Sequence, residues 1–262
     1  GWPQRWIGAV SWLPLFALLP SHPPAGTFTV TAFDVGQGMA LLVETEQHRL
    51  LYDTGPQYAA TQNGATRVLL PYLRARGIGR LDGMIVTHSD TDHAGGALTL
   101  LEAMDVAWMS SSLAPGHPAV REAAARHRRC EAGQRWEWDG VVFEMLQPGA
   151  ASYADPGLKS NGRSCTLRIS ARGRAILLAA DIEAPQETAL LQSAPHSLRA
   201  DVLLAPHHGS GTSSTPAFLA AVKPSIGVFQ VGHRNRYRHP KKEVLERYGR
   251  PVSYTHLRAH ET

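Results

Sequence analysis

The chain has 262 residues, of which 43% are hydrophobic and 18% are charged, with 24 glycines and 18 prolines. These values are typical of an α/β domain with many tight turns, and they exclude a disordered or fibrous chain. The formal net charge of +4 permits contact with nucleic acid or anionic lipid without favouring either. The two cysteines, Cys130 and Cys165, lack the spacing of a metal site, and a disulfide between them cannot be read from the sequence.

The N-terminal segment is apolar. Trp6–Leu19 carries no charge, but its length falls short of the about 20 residues that a helix needs to span a bilayer. A buried helix and the core of a signal peptide are alternatives, but a first residue other than Met favours a transmembrane helix whose start is missing. We therefore predict a truncated transmembrane helix over residues 1–19 and a Pro-rich linker over residues 20–27.

From Phe28 onward, short apolar or alternating runs are separated by glycine and polar turns, which predicts strands mixed with helices. The predicted strands are Phe28–Val35, Ala40–Thr45, Arg49–Tyr52, Gly83–Thr87, Val106–Met109, Arg135–Trp138, Val141–Leu146, Thr166–Ala171, Arg174–Ala180, Asp201–Ala205 and Ile226–Val231. The predicted helices are Arg67–Arg76, Ala94–Ala103, Ala119–His127, Ala184–Gln192, Pro216–Ala221 and Lys241–Tyr248. This order predicts an α/β fold of four layers, with two sheets inside and helices outside.

The C-terminal segment Val252–Thr262 (VSYTHLRAHET) resembles the translation of a sequencing adapter of the transposase type. The alternative is a genuine polar tail. We predict that the native domain covers residues 28–251 and that residues 252–262 are not native. His256 and His260 are therefore excluded as candidate ligands.

The densest group of polar side chains is His88-Ser89-Asp90-Thr91-Asp92-His93. It follows a predicted strand and precedes a predicted helix, so its two imidazoles and two carboxylates can point to one place. Nitrogen and oxygen donors at this density suit a divalent cation. Asp92 also lies near a helix N-terminus, where a carboxylate is favoured. The alternative is a solvated polar loop with a helix cap.

Three other strand ends carry similar side chains. Asp181 follows an apolar strand, which is a costly place for a carboxylate unless it is paired or metal-bound. Asp53 closes another strand, and His207-His208 follow a third. Taken singly, Asp181 could be a helix cap and the two histidines ordinary loop residues. Taken together, the four strand ends indicate an active site at one edge of a sheet.

These motifs resemble the metallo-β-lactamase superfamily, whose hallmark is a His-x-His-x-Asp-His loop. Asp90 stands where the second histidine is usual. This variant, with Phe33–Gly38 (FDVGQG) upstream and His207–Ser210 (HHGS) downstream, resembles the C-terminal domain of the ComEC family of DNA-internalisation proteins. The likeness covers nearly all of residues 28–250. Further matching segments are Tyr52–Gly55, Leu70–Leu73, Arg76–Ile78, Val231-Gly232 and Asn235–Pro240.

The resemblance implies the four-layer αββα metallo-β-lactamase sandwich and two divalent metal ions, Mn²⁺ or Zn²⁺, with Mg²⁺ as an option. In that arrangement His88 and Asp90 would hold one ion, Asp92 and His93 would hold the second, and Asp181 would bridge the two. Either His207 or His208 would complete the second site, and the sequence does not choose between them. Asp53 would orient an imidazole through its free N–H.

The resemblance also implies residues that act on substrate. Asp92, His239 and Asn161 are the expected catalytic residues, and Ser164 and Ser210 the expected substrate-binding residues. Asn161, Ser164 and His239 would line the pocket, where they would bind a scissile phosphate or protonate a leaving group. Each has a plain alternative as a turn, loop or surface residue.

Three departures from the family pattern matter. The third histidine of the first site has no counterpart between His127 and Asp181, and its place falls to Asn161–Ser164, so we expect a weak first site. Asp90 is a hard oxygen ligand, which moves the preference from Zn²⁺ towards Mn²⁺ or Mg²⁺. Ala180 stands where the family usually has glycine.

The expected function is therefore a metal-dependent hydrolase domain of a membrane DNA-uptake protein. It would be a nuclease that cleaves the non-imported strand during natural transformation. The alternative is a non-catalytic DNA-guiding module of the uptake channel that contacts phosphates through basic clusters such as Arg126–Arg129 and His233–Arg236. A soluble small-molecule hydrolase, such as a true lactamase, fits Asp90 and the apolar N-terminal segment less well.

The expected partners are single-stranded DNA, contacted through its backbone, the membrane through the missing N-terminal part, and other competence proteins. The family implies a multi-pass protein of the bacterial inner membrane, with this domain in the periplasm. Too few charges flank the apolar segment for the positive-inside rule to decide the side.

Overall fold

The computed structural model describes residues 22–249 and the backbone of residues 253–257. The predicted transmembrane remnant over residues 1–19 lies outside the described residues. Within the described ranges, no helix combines the length and the apolar character that crossing a membrane requires.

The strands are named in chain order. They are β1 (Thr29–Ala32), β2 (Leu41–Glu44), β3 (Arg49–Tyr52), β4 (Gln57–Ala59), β5 (Gln62–Asn63), β6 (Arg80–Leu81), β7 (Gly83–Val86), β8 (Asp105–Val106), β9 (Met109–Ser111), β10 (His127–Arg129), β11 (Arg135–Trp138), β12 (Val141–Gln147), β13 (Thr166–Ala171), β14 (Arg174–Leu178), β15 (Val202–Leu204), β16 (Ile226–Gln230) and β17 (Ser253–Leu257). The α-helices are α1 (Leu70–Ala75), α2 (Thr91–Ala94), α3 (Ala97–Ala103), α4 (Pro118–Ala123), α5 (Ala184–Ser193), α6 (Pro216–Val222) and α7 (Lys242–Tyr248). A π-helical turn, Ala65–Leu69, leads into α1.

The first sheet has the strand order β1-β2-β3-β7-β9-β10. Strands β1 to β3 form an antiparallel meander, whereas β3, β7, β9 and β10 run parallel. Parallel neighbours need a crossover connection, and helices provide one between β3 and β7 and again between β7 and β9. The carboxyl ends of β3 and β7 therefore lie at the same edge of the sheet.

The second sheet has the order β11-β12-β13-β14-β15-β16-β17. Its strands are antiparallel up to β14 and parallel from β14 to β17. The predicted hairpin over Thr166–Ala171 and Arg174–Ala180 is present as β13 and β14, which turn at Arg172-Gly173. The carboxyl ends of β14, β15 and β16 share one edge, and this edge meets that of the first sheet.

Three apolar cores separate the layers. The middle core lies between the sheets and includes Tyr52, Phe143 and Ile169, all fully buried. A second core packs the first sheet against α1, α3 and α4 around Leu73 and Leu100. A third core packs the second sheet against α5, α6 and α7. This arrangement confirms the predicted four-layer αββα class.

Some element boundaries were predicted wrongly. The helix predicted over Ala119–His127 ends at Ala123, because Ala124 has a φ of 47° that no α-helix accommodates, and His127 begins strand β10 instead. The strand predicted over Val106–Met109 is two strands, β8 and β9, separated by Ala107-Trp108. The small β4–β5 hairpin was missed, because it consists largely of exposed polar residues.

The described residues of the C-terminal segment form β17, which pairs parallel with β16 through its backbone. Backbone pairing at the edge of a sheet is open to many sequences, so it does not bear on where Val252–Thr262 came from. The adapter origin of that segment stays a prediction.

A disulfide joins Cys130, just after β10, to Cys165, just before β13. Both residues are fully buried, and the bond links the first sheet to the second. The sequence could not reveal this pairing, because the residues become neighbours only when the two sheets pack together.

Candidate metal centre

The side chains predicted to bind metal come together at the shared edge of the two sheets. His88 follows β7, and Asp181 follows β14. His207 and His208 follow β15, and Asp92 and His93 lie on the short helix α2. The carboxyl ends of parallel strands supply most of these positions, which is the usual place for a site in an open α/β sheet.

Asp92, His93 and His208 form what we call the buried group. Their donor atoms lie within 4.8 Å of one another. His93 Nε2 is 3.2 Å from His208 Nε2, and His208 Nε2 is 3.4 Å from Asp92 Oδ2. His93 and His208 are buried, and the Asp92 side chain is 28% exposed, so the group opens to solvent on one side only.

Both imidazoles of the buried group are held by a hydrogen bond at Nδ1, the ring nitrogen that points away from the site. His93 Nδ1 donates to Asp53 Oδ2 at 2.8 Å, and His208 Nδ1 donates to the Gln230 carbonyl at 2.8 Å. Asp53 is itself held by the Thr87 N–H at 2.8 Å and the Thr87 hydroxyl at 2.9 Å. Partners of this kind set the tautomer and orientation of a metal-binding histidine. When both rings are neutral and donate through Nδ1, each Nε2 carries a lone pair, and the two lone pairs face each other. A proton or a cation between the two Nε2 atoms is needed to offset their repulsion.

His88, Asp90 and His207 form what we call the open group. The Asp90 side chain is 45% exposed and the His207 side chain 22%, whereas His88 is buried. His88 Nε2 lies 3.6 Å from Asp90 Oδ2. The Thr87 hydroxyl donates to Asp53, so His88 Nδ1 donates to Thr87 Oγ1 at 2.9 Å, which leaves a lone pair on His88 Nε2.

Asp181 lies between the two groups. Its Oδ1 is 3.2 Å from His93 Nε2 and 3.6 Å from His208 Nε2, on the side of the buried group. Its Oδ2 is 3.6 Å from His207 Nε2 and 4.0 Å from His88 Nε2, on the side of the open group. The side chain is 3% exposed. One carboxylate thus faces both sets of donors.

Besides the His88–His93 motif, a separate observation indicates that these donors suit divalent cations. His88 Nε2 and Asp181 Oδ1 are buried and have no hydrogen-bond partner. Buried polar atoms are rarely left unpaired in native proteins, and an ion bound at the site is one recognised reason for it. Imidazole nitrogens and carboxylate oxygens are ligands that Zn²⁺ and Mn²⁺ accept.

The acidic and imidazole groups shift each other's pKa strongly. Burial alone would raise the pKa of Asp92, but the hydrogen bond from His208 and the charges of His93 and His208 lower it to about 2. Burial likewise opposes ionisation of Asp181, yet the surrounding histidines hold its pKa well below the usual range. Burial would lower the pKa of His93, but Asp181 and Asp53 raise it well above its ordinary value. The centre therefore attracts positive charge.

The predicted pocket residues take different positions. Asn161 lies in the turn Ser160–Arg163, with its Nδ2 3.5 Å from His207 Nε2. The His239 ring is 5.9 Å from the His207 ring, and burial with the charges of His208 and His207 lowers the pKa of His239 to about 4. The buried Ser164 hydroxyl accepts from the Asp181 N–H at 3.3 Å, so it contacts the backbone of the carboxylate residue.

Ser210, which was predicted to bind substrate, is separated from the centre by another hydroxyl. The structure gives its hydroxyl one side-chain contact, with Thr212 Oγ1 at 3.0 Å. Thr212 in turn donates to Glu183 Oε1 and lies 3.4 Å from His207 Nδ1. The Ser210 hydroxyl therefore reaches the His207 ring only through Thr212, whereas the Ser210 N–H donates directly to the His207 carbonyl at 2.8 Å.

Sequence reasoning missed three groups that hold the centre. Glu183 Oε1 lies 3.3 Å from His207 Nδ1, the Gln230 carbonyl holds His208, and Ser160 bonds to Ser89 at 2.8 Å. Glu183 comes two residues after Asp181, and that proximity was the one available signal. Because every residue has a backbone carbonyl, the sequence could not indicate that the carbonyl of Gln230 holds His208.

The backbone turns sharply where the ligand candidates sit. His207 and His208 have φ values of 50° and 55°, and Ala180, just before Asp181, has a φ of 49°. This left-handed region favours glycine, because a side chain there costs about 1–2 kcal/mol per residue. The geometry gives a physical reason for the glycine that the family usually has at the position of Ala180.

The chain belongs to the metallo-β-lactamase superfamily, whose family model matches residues 33–233. It is 39% identical to Competence protein ComA of Neisseria gonorrhoeae over 228 residues, which cover 87% of this chain and 30% of that protein. It is 33% identical to Recombination protein 2 of Haemophilus influenzae over 226 residues, or 86% of this chain and 27% of that protein. The chain thus spans less than a third of the length of these relatives.

Solved structures agree on the fold. The metallo-beta-lactamase fold protein YhfI from Bacillus subtilis superposes with a TM-score of 0.56 and 14% identity, over 87% of this chain and 95% of that chain. The predicted likeness to DNA-internalisation proteins and the predicted fold class are therefore both confirmed. This chain is a metallo-β-lactamase-fold hydrolase homologous to competence proteins, with a fold that implies divalent metal binding.

Proposed function

We propose that this domain is a nuclease that hydrolyses phosphodiester bonds of single-stranded DNA with two divalent cations, as part of a DNA-uptake protein of the bacterial inner membrane. The observation that carries the proposal is the position of Asp181. It faces two sets of donors, and two buried atoms of the centre have no hydrogen-bond partner. In this proposal residues 28–251 are the hydrolase domain, and residues 1–19 and 20–27 are the transmembrane remnant and linker that precede it.

The two groups would each hold one cation. His88 and Asp90, in the open group, would hold the first, and Asp92, His93 and His208, the buried group, would hold the second, with Asp181 shared. His207 would take the place of the absent third histidine, because its Nε2 faces the same Asp181 oxygen as His88 does. The histidine choice left open by the sequence is therefore resolved in this proposal by giving one residue to each group.

Two such cations, when bound, lower the pKa of a water molecule and neutralise charge that develops on a phosphoryl oxygen. The chain's own residues would orient the substrate beside them. Asn161 Nδ2 is a hydrogen-bond donor beside His207, suited to a phosphate oxygen. His239, whose pKa is about 4, is neutral at pH 7 and would bind the substrate through a hydrogen bond.

DNA as the substrate is supported by the relatives, which are named for competence and recombination. Basic residues also flank the centre, since His233 and Arg234 are exposed on the loop that follows β16. In the other basic cluster, Arg126–Arg129, the side chains of Arg128 and Arg129 are exposed. Arg126 donates to the Val106 carbonyl, and Arg129 lies over the Tyr153 ring. Both the loop after β16 and the exposed arginines of this cluster would therefore be available to a DNA-guiding module.

A periplasmic location is supported by the buried disulfide between Cys130 and Cys165. Disulfides persist in oxidising compartments such as the periplasm and are rare in the cytosol. Mass spectrometry of the protein isolated from cells, with thiols blocked at lysis, tests this location. The periplasmic proposal predicts an oxidised pair, and a fully reduced pair would contradict it.

The activity is tested with labelled single-stranded DNA in the presence of EDTA, Zn²⁺, Mg²⁺ or Mn²⁺. The proposal predicts cleavage that needs a cation and that disappears in Asp181→Asn, with Glu102→Gln as a control at an exposed carboxylate on α3. Folded protein that binds metal and DNA but leaves the DNA intact would overturn the nuclease proposal and favour the guiding module.

A further inference from the structure

The loop over residues 232–240 leaves the end of β16 and borders the metal centre. A cavity of about 660 Å³ is lined by residues of this segment, among them Arg234, Arg238 and His239. Its link to the centre is direct, because the His239 ring lies 5.9 Å from that of His207. Whatever occupies the cavity is therefore close to the reacting groups.

The loop is held in shape by Asn235 and Gly232. Asn235 Nδ2 donates to the carbonyls of Gly232 and His239, and Asn235 Oδ1 accepts from the His239 N–H at 2.9 Å. Gly232 packs so closely that an added Cβ would come within 2.7 Å of the Gln37 nitrogen. The side chains of this loop are thus presented on an organised backbone.

Tyr237 places an aromatic ring at the surface of this loop. Its exposure of 44% is the highest among the large hydrophobic residues that stand exposed in the described part of the chain. The ring stacks on His239, with centroids 5.7 Å apart and planes 25° from parallel. Rings therefore form a continuous path from solvent through Tyr237 and His239 to His207.

Three arginines lie on the same loop as this ring. Arg234, Arg236 and Arg238 are exposed, and none forms an ion pair with an acidic residue in the described ranges. Arg236 lies over the Tyr237 ring at 4.8 Å. An exposed cation–π contact is worth about 0.5–1 kcal/mol, whereas stacking of a nucleobase on an aromatic side chain is worth about 1–3 kcal/mol. Arg236 also donates a hydrogen bond to the Tyr237 hydroxyl, at an exposed position where water can take its place. A base can therefore displace Arg236 from the ring face and free its charge for a phosphate.

We infer that loop 232–240 binds a nucleotide of the substrate strand next to the bond that is cut. Its base stacks on Tyr237, and its phosphates contact Arg234 and Arg238. This inference rests on the proposed nuclease function and adds a specificity determinant to it. The bases of a duplex are already stacked and paired, so an exposed ring of this kind favours single strands.

Fluorescence anisotropy in EDTA tests the inference without requiring cleavage. The complete chain and its Tyr237→Ala variant are titrated with labelled oligothymidylate, with an abasic strand of equal length and with a duplex. We expect Tyr237→Ala to weaken oligothymidylate binding by about 5- to 150-fold, the equivalent of one lost stacked base. Binding of the abasic strand and of the duplex should change by less than about twofold, since neither offers a free base to stack.

Two further variants separate stacking from other effects. Tyr237→Phe keeps the ring and should bind oligothymidylate as the unmodified chain does. Tyr58→Ala is the matched control, because Tyr58 is 39% exposed and has Arg67 over its ring at 5.0 Å, but it has no ring contact with His239. An unchanged affinity in Tyr237→Ala, or an equal loss for the abasic strand, would overturn the inference. Cleavage, assayed separately with metal, reports on the nuclease proposal alone.

Discussion

The two halves of the candidate metal centre differ in how firmly their donors are held. In the buried group, His93 is fixed by Asp53 and His208 by the Gln230 carbonyl, both at 2.8 Å. In the open group, Asp90 is 45% exposed, and the outer contact of His207, from its Nδ1 to Glu183 Oε1, spans 3.3 Å. Outer partners set metal affinity by about 10- to 100-fold, so this difference predicts one tight and one weak cation position.

The largest effect is expected from Asp92→Ala, because the buried group then loses the carboxylate that we propose as a ligand. We expect DNA cleavage to fall by more than about 100-fold, the upper end of what loss of an outer partner costs. Initial rates on single-stranded DNA at saturating Mn²⁺ measure this. Glu102→Ala, at an exposed carboxylate on α3, should leave the rate unchanged, and an equal loss in both variants would contradict the assignment.

The two neighbouring histidines provide the sharpest test of the difference between the groups. His208→Ala should remove the tightly held cation, whereas His207→Ala should spare it and remove the weaker one. Elemental analysis after dialysis against metal-free buffer distinguishes these outcomes. Loss of the tight cation in His207→Ala, with its retention in His208→Ala, would reverse the assignment.

His207 and His208 also show what could not be predicted from the sequence. The loop His88–His93 could be predicted as a ligand cluster because its donors are close in the chain and follow a strand. His207 and His208 could not be told apart, because the choice depends on left-handed backbone at both residues and on a carbonyl from β16.

A similar limit explains the fold features that sequence missed. The strands and the four-layer class could be predicted because the spacing of apolar residues is visible within short stretches of the sequence. The pairing of Cys130 with Cys165 and the contact of Glu183 with His207 arise only when distant segments pack. The helix that ends at Ala123 does so because the next residue, Ala124, has a positive φ. Alanine rarely adopts this conformation, so the sequence did not predict the helix end.

A smaller effect is expected when the outer partner of the buried group is weakened. Asp53→Asn keeps the size of the side chain but removes the charge that His93 Nδ1 faces. We expect the affinity for the tight cation to fall by about 10- to 100-fold, with the weak position unchanged. Competition with a chelator of known affinity measures the change. An equal loss at both positions would show that Asp53 supports the whole fold and not one group.

The smallest effect concerns the backbone that places Asp181 between the groups. Ala180→Gly should increase the free energy of unfolding by about 1 kcal/mol, since glycine tolerates the φ of 49° that strains alanine. Urea denaturation measures this change. Lys223→Gly, at the exposed left-handed position that ends α6 with a φ of 51°, is a control that should stabilise without altering cation binding. A loss of stability in Ala180→Gly would contradict the strained geometry.

Calorimetric titration of the metal-free chain with Mn²⁺ tests the central claim most directly. The two unequal groups predict two binding events whose affinities differ by at least about tenfold. The tighter event should be absent in His208→Ala and present in His207→Ala. A single binding event, or two events that neither substitution changes, would contradict a centre built from two unequal halves that share Asp181.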